Sequence, residues 1–214
     1  MGMTGMKLFY SPGACSMAIH TLLEEIGKPF ELEKVNLRNK EQFSAAYTKL
    51  NPKSQVPALQ RDDGSVLTEL VAIATWLADT NPERHLLPDD PNDRARLYEI
   101  MVLVNGNMHP QGITRIYRTD KFTPNEADYE AIRTRGREIV KEGVGILSAS
   151  LRDGPFFLDR LTIADFVIFY MEYWIVFRLK WQLPHKCAVH YGAMMARPSV
   201  KRALETEGHP FQQA

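Results

Sequence analysis

The chain has 214 residues, enough for one large hydrophobic core or two small ones. Apolar residues make up 44% and charged residues 24%, with 26 basic side chains against 26 acidic, which excludes a disordered chain and leaves no basic excess for a nucleic acid partner. No apolar run approaches the roughly 18 residues of a membrane span, Met1 to Lys7 lacks a signal peptide's apolar stretch, and Cys15 and Cys187 are too few for a disulfide framework, so a cytoplasmic, reducing location is expected.

Met1 to Gly5 has no periodicity and reads as a flexible leader or cloning remnant. Lys7 to Tyr10 is a short apolar run stopped by Ser11-Pro12-Gly13; after Cys15, residues Ala18, Ile19, Leu22, Leu23 and Ile26 recur at helical spacing until Gly27, giving strand, turn, helix. Phe30 to Val35 alternates as a second strand, and Glu41 to Leu50 reads as a short helix ending at Asn51-Pro52. Pro57 to Gln60 and Ser65 to Thr68 flank Asp62-Asp63-Gly64, a hairpin signal, and Glu69 to Asp79 returns to helical spacing. The predicted order is βαβαββα. Asn81 to Pro91 contains three prolines and no sustained period, which predicts a linker between a domain over residues 1–80 and a helical one over 92–214. In the helical part, Leu97 to Met108 and Tyr129 to Leu147 mark two helices. Thr162 and Asp165 form a capping box with Leu161 stapled onto Phe166, and Cys187 to Ala196 and Pro198 to Glu207 close the chain.

Cys15 falls in the first turn after a strand, where orphan N–H groups and the helix dipole favour a thiolate; a small buried hydrophobe is the alternative reading. Ser16 either donates to a bound thiolate or caps the helix. No second cysteine follows at Cys-x-x-Cys spacing, so any disulfide here is mixed, with an external thiol. Pro57 opens a strand, and a cis Val56-Pro57 bond would leave the Val56 amide and carbonyl unpaired for an added peptide strand. His185, Cys187 and His190 do not share a helical face, which argues against a metal site. Arg115, Tyr117 and Arg118 either line an acceptor pocket or, the preferred reading, form a solvated face, and Tyr170, Tyr173, Trp174, Phe177 and Trp181 read chiefly as core.

Lys7 to Ser16, Asn51 to Leu59 and Val66 to Glu69 together resemble, in order and spacing, the bacterial beta-class glutathione transferases. The resemblance is densest over residues 6–80 and continues more loosely to about residue 207. It implies a thioredoxin-like N-terminal domain and an all-α C-terminal domain, a homodimer, and glutathione as co-substrate for conjugation to small hydrophobic electrophiles. By the same resemblance Cys15 contacts the glutathione sulfur, with Tyr10 and Ser16 beside it and His109 contributed by the helical domain; Asn105, four residues before His109, shares its helical face. Val56 would pair with the glutathione backbone ahead of Pro57, flanked by Lys53 and Gln55, and Glu69 would bind the γ-glutamyl ammonium. Two departures stand out: Leu70 replaces the serine that helps grip the γ-glutamyl end, and Pro110 replaces a basic residue and predicts a kink at His109. Two other functions share this fold: thiol-disulfide exchange through Cys15, and a binding or regulatory role without catalysis.

Overall fold

The computed structural model describes residues 5–209; the leader, apart from Gly5, lies outside them. The chain packs as two compact units, residues 1–87 together with 194–214, and residues 88–193.

In the first unit β1 (Met6–Tyr10), α1 (Met17–Ile26), β2 (Phe30–Lys34), α2 (Ala45–Leu50), β3 (Ala58–Gln60), β4 (Val66–Thr68) and α3 (Leu70–Asp79) follow one another in the expected βαβαββα order. The sheet runs β2-β1-β3-β4, with β1 parallel to β2 and antiparallel to β3, and β3 antiparallel to β4. Alternation along β1 loads both faces of the sheet. Phe9 joins Val35, Tyr47, Val56 and Ala58 in one cluster, while Tyr10 turns the other way and meets the ring of His20 on α1. Gly64 sits at φ 82° in the hairpin, a conformation that costs glycine least. Packing places a further helix, α9 (Pro198–Glu207), in this unit against α1, where Arg197 and Ser199 both hydrogen-bond Glu25.

The expected helix from Glu41 to Leu50 is broken. A single 3₁₀ turn covers Glu41–Phe43, and Ser44 then goes extended at ψ 148° so that its hydroxyl accepts the Tyr47 N–H at 3.2 Å. Serine gains more as the cap of a new helix than as a residue inside an old one. The helix expected from Glu69 starts one residue later, because Glu69 adopts φ 73°.

The second unit is helical, in keeping with the all-α expectation. α4 (Pro91–Val102) is capped by Asp90, whose carboxylate accepts the Asn92 and Asp93 amides. It widens without a break into a π-helical stretch, Leu103–Ile113, and closes as α5 (Thr114–Tyr117). At His109, where a kink is expected, the ladder widens into this π-helical stretch. Pro110 has no N–H to give one turn back, and the wider turn restores the ladder beyond it, with the Thr114 amide donating to the His109 carbonyl. α6 (Tyr129–Ser150) crosses this stretch at a glycine pair. A Cβ on Gly112 would stand 2.6 Å from a Val140 methyl, and one on Gly136 would stand 2.8 Å from the Gly112 carbonyl oxygen. α7 (Ile163–Trp174) is buried along its whole length, so Tyr170, Tyr173 and Trp174 are core as expected. A π turn (Ile175–Leu179) and α8 (His185–Ala196) follow. Among the described residues no helix is long and apolar enough to cross a membrane.

Candidate active site

The turn after β1 and the loop before β3 meet at the cysteine. Cys15 is buried at 8% exposure, and its Sγ donates to the Val56 carbonyl oxygen at 3.4 Å. The Val56-Pro57 bond is cis. Of the two Val56 groups expected to be unpaired, the carbonyl is thus taken by the thiol. The loop carrying Val56 is fixed from beneath. The Tyr47 hydroxyl and the Asn51 side-chain amide both donate to the Gln55 carbonyl, at 2.6 and 2.7 Å, while Gln55 itself is exposed. At the neighbouring strand end Lys53 Nζ reaches Glu69 Oε1 at 2.6 Å and Thr68 Oγ1 at 3.0 Å, both carried out toward solvent. Glu69 supplies no side-chain cap to α3, so the first amides of that helix are left without one, and Leu70 turns into the core at 3% exposure.

Ser16 and Tyr10 have partners within the first unit. The Ser16 hydroxyl is fully buried, accepts the Ser11 amide at 3.2 Å and lies 3.3 Å from the Ser11 carbonyl, so it closes its own turn; it makes no capping bond to α1. Burial, reinforced by the Glu207 carboxylate, raises the Tyr10 phenol above its ordinary range, which keeps it protonated. Glu207 also grips the cysteine turn from α9. Its Oε2 accepts the Gly13 amide at 2.7 Å and its Oε1 lies 2.8 Å from His20 Nδ1. Gly13 is in the left-handed region at φ 69°, which aims that amide at the carboxylate.

In the second unit the π-helical stretch sets His109 against α7. Its ring meets Trp174 edge-on at 4.8 Å and 89°, and Tyr170 at 6.1 Å. Tyr170 in turn donates its hydroxyl to Asn105 Oδ1 at 3.3 Å, so one tyrosine joins the two residues expected together. Burial, with the positive charges of Arg178 and Lys121, lowers the His109 imidazole to about 4, which leaves it neutral. His190 is the opposite case. It lies between Glu172 Oε2 at 2.7 Å and Asp165 Oδ1 at 3.2 Å, all three side chains fully buried. Burial opposes its charge, but Glu172 together with Asp165 overcomes that and pushes the imidazole up to about 10. His190 is therefore a cation, and Asp165 serves it while also capping α7 through the Thr162 amide at 2.6 Å. Cys187 is a buried thiol pushed up to about 12 by burial and by Glu172, which makes it inert.

With this geometry in view, comparison with known proteins is decisive. GstA, a glutathione S-transferase of Escherichia coli O157:H7, is 37% identical over 207 residues, spanning 95% of this chain and 99% of its own length. The chain belongs to the glutathione S-transferase family. The family's N-terminal domain matches residues 13–80 and its C-terminal domain residues 130–205. A glutathione transferase homolog from Sulfitobacter, solved with bound glutathione, superposes with a TM-score of 0.87 at 25% identity over 97% of this chain and 100% of its own. A bacterial beta-class transferase from Sphingomonas chungbukensis gives a TM-score of 0.78 at 31% identity, covering 94% and 98% of the two chains.

In this member of the family the structure joins Cys15 to Val56, Lys53 to Glu69, and Asn105 to His109 through Tyr170, while Ser16 bonds the Ser11 backbone and Tyr10 packs against His20. Tyr47, Asn51, His20, Glu207 and Arg178 were not visible as site-shaping residues in the sequence. Tyr47 and Asn51 lie close enough to Gln55 for a loop-anchoring pattern to have been found. Glu207 is 194 positions from Gly13, and no local pattern carries that contact.

Proposed function

We propose that this transferase is of the bacterial beta class, acting as a homodimer in the cytoplasm. It binds glutathione along the Val56 edge of its first unit and joins the whole tripeptide, through its thiolate sulfur, to small hydrophobic electrophiles. The observation that carries this reading is the Cys15 thiol held 3.4 Å from the Val56 carbonyl, which sets a sulfur at the chain edge where an extended peptide adds by its main chain. The two ends of a γ-glutamyl group have partners close by. Its ammonium suits the exposed Glu69 carboxylate, displacing Lys53, and its carboxylate suits the uncapped first amides of α3 at Leu70. Those amides offset the hydroxyl that Leu70 lacks. The bound-glutathione relative and the beta-class relative support the same reading. Glutathione's thiol, with an ordinary pKa of about 8.5, is mostly protonated at neutral pH; a donor at Cys15 favours its thiolate and raises the nucleophile's concentration.

The position of Cys15 also supports a second chemistry. A Cys15 thiolate attacking glutathione disulfide would form a Cys15–glutathione mixed disulfide and release one glutathione thiolate. Cys15→Ala separates the two: exchange is abolished, whereas conjugation persists at a reduced rate. Calorimetric titration of the reduced protein with glutathione tests the common site. Saturable binding that Glu69→Ala weakens at least about tenfold is expected, and no binding at millimolar ligand would overturn the assignment. Sedimentation of the purified protein reads the dimer.

A further inference from the structure

Lys53 and Glu69 form an ion pair that lies wholly within the first unit, and each end of it is rooted in constrained backbone. Lys53 sits on the turn after α2. There the buried Asn51 accepts the Lys53 amide at 3.1 Å through Oδ1 and the Ser54 amide at 3.0 Å through its carbonyl. Ser54 holds φ 55° and Glu69 φ 73°, conformations that are costly for a residue with a side chain and persist only where the surrounding structure imposes them. The root of the lysine is thus fixed while its head stands half exposed, with Nζ 2.6 Å from Glu69 Oε1 and 3.0 Å from Thr68 Oγ1. Thr68 and Glu69 immediately precede α3, so the Lys53 ammonium lies beside Leu70, the position that lacks a hydroxyl. An exposed pair of this kind contributes little to stability and opens readily. A ligand bearing only a positive charge would strand the lysine on opening it, and one bearing only a negative charge would strand the glutamate.

We infer that Lys53 is a specificity-determining residue, receiving the α-carboxylate of the γ-glutamyl group while Glu69 receives its α-ammonium. The inference rests on the glutathione reading above and gives that site a preference for a zwitterionic end. The two ligand charges sit on one carbon and the two protein charges in one ion pair, so the incoming zwitterion gives each member a new partner in a single exchange of contacts. The lysine's charge then stands in for the hydroxyl that Leu70 does not supply. A flexible four-carbon stem lets the ammonium pass from Glu69 to the ligand while the turn beneath it stays in place.

The test compares glutathione with 4-aminobutyryl-cysteinylglycine, the same peptide without its α-carboxylate, by calorimetric titration of the reduced protein. The quantity read is the ratio of the two affinities, in which losses common to both peptides cancel. Lys53→Gln is expected to lower the preference for glutathione at least about tenfold, and Lys53→Arg to restore most of it. The affinity of the peptide without the carboxylate should hold or rise in Lys53→Gln, because the lysine no longer competes with its ammonium for Glu69. A ratio unmoved by Lys53→Gln would overturn the inference. So would tighter binding of both peptides by the same factor, which would make Lys53 a competitor for Glu69 and nothing more. Binding of neither peptide by the parent protein sinks the glutathione reading and this inference with it, whereas binding of both at a ratio that Lys53→Gln leaves unchanged sinks the inference alone.

Discussion

His109 and His190 belong to the same helical unit, and their surroundings drive them to opposite charge states. His190 has a carboxylate on each ring nitrogen and is held as a cation, with its imidazole pushed up to about 10. His109 has aromatic rings against it and two cations acting on it, and is held neutral at about 4. The difference teaches where a histidine is structural and where it is left available. Both hydrogens of His190 are spent on Glu172 and Asp165, so its charge holds α8 to α7. The His109 ring is oriented by shape and keeps its nitrogens for other partners.

The largest expected effect is at His190. Replacing it by leucine leaves two carboxylates facing each other in the core, and a loss of about 3–5 kcal/mol is expected from urea denaturation; a loss below about 1 kcal/mol would show that water, not His190, compensates those charges. Next comes the glycine crossing that sets His109. Gly112→Ala drives a methyl into Val140, and a loss of about 1–3 kcal/mol is expected, together with a changed His109 resonance in NMR spectra. An unchanged resonance would detach His109's aim from the crossing. Thr162→Val removes half of the capping box but leaves Asp165 to His190, so about 1 kcal/mol is expected to be lost, again from urea denaturation.

The pH dependence of stability sharpens the same contrast, and the two limbs have opposite signs. The unfolded value for both histidines is about 6.5. His190 binds its proton more tightly when folded, so its contribution is complete below about 6.5 and is lost as pH rises through about 10. His109 binds its proton less tightly when folded, so its contribution is present above about 6.5 and is lost as pH falls toward about 4. Thermal unfolding across this range is expected to show a shallower acid limb for His109→Asn than for the parent protein. The smallest effect belongs to Lys121→Gln, which removes one exposed cation and should raise the His109 titration slightly above about 4 by NMR; no upward movement would assign the depression to burial and Arg178 alone.

The order βαβαββα was legible because strands and helices are punctuated by Ser11-Pro12-Gly13, Gly27, Asn51-Pro52 and Asp63-Gly64, each of which acts on its own local backbone. The break at Ser44 was not, since the same apolar spacing fits one helix or a turn and a helix, and only the hydroxyl's choice of the Tyr47 amide decides. The π-helical stretch escaped for a related reason: widening by one residue per turn changes which amide meets which carbonyl without changing the side chains a reader sees. At the site, the motifs marked Cys15, Val56 and Glu69 one by one, while the contact between Cys15 and Val56, 41 positions apart, comes only from the fold. The partners that Ser16 and Tyr10 have here, the Ser11 backbone and the Glu207–His20 pair, were not legible because they are set by the fold of the turn and by a distant helix. For His190, helical offsets argued against a metal but left open the two carboxylates, 18 and 25 positions away, that hold it.

The grip of Glu207 on Gly13 has a bearing on how the protein is born. A ribosome delivers the sheet and its cysteine turn early, but the carboxylate that accepts the Gly13 amide emerges only after the helical unit. The nascent N-terminal segment therefore lacks the Gly13–Glu207 bond through the synthesis of the whole helical unit, and an excised segment ending near residue 87 would lack it for good.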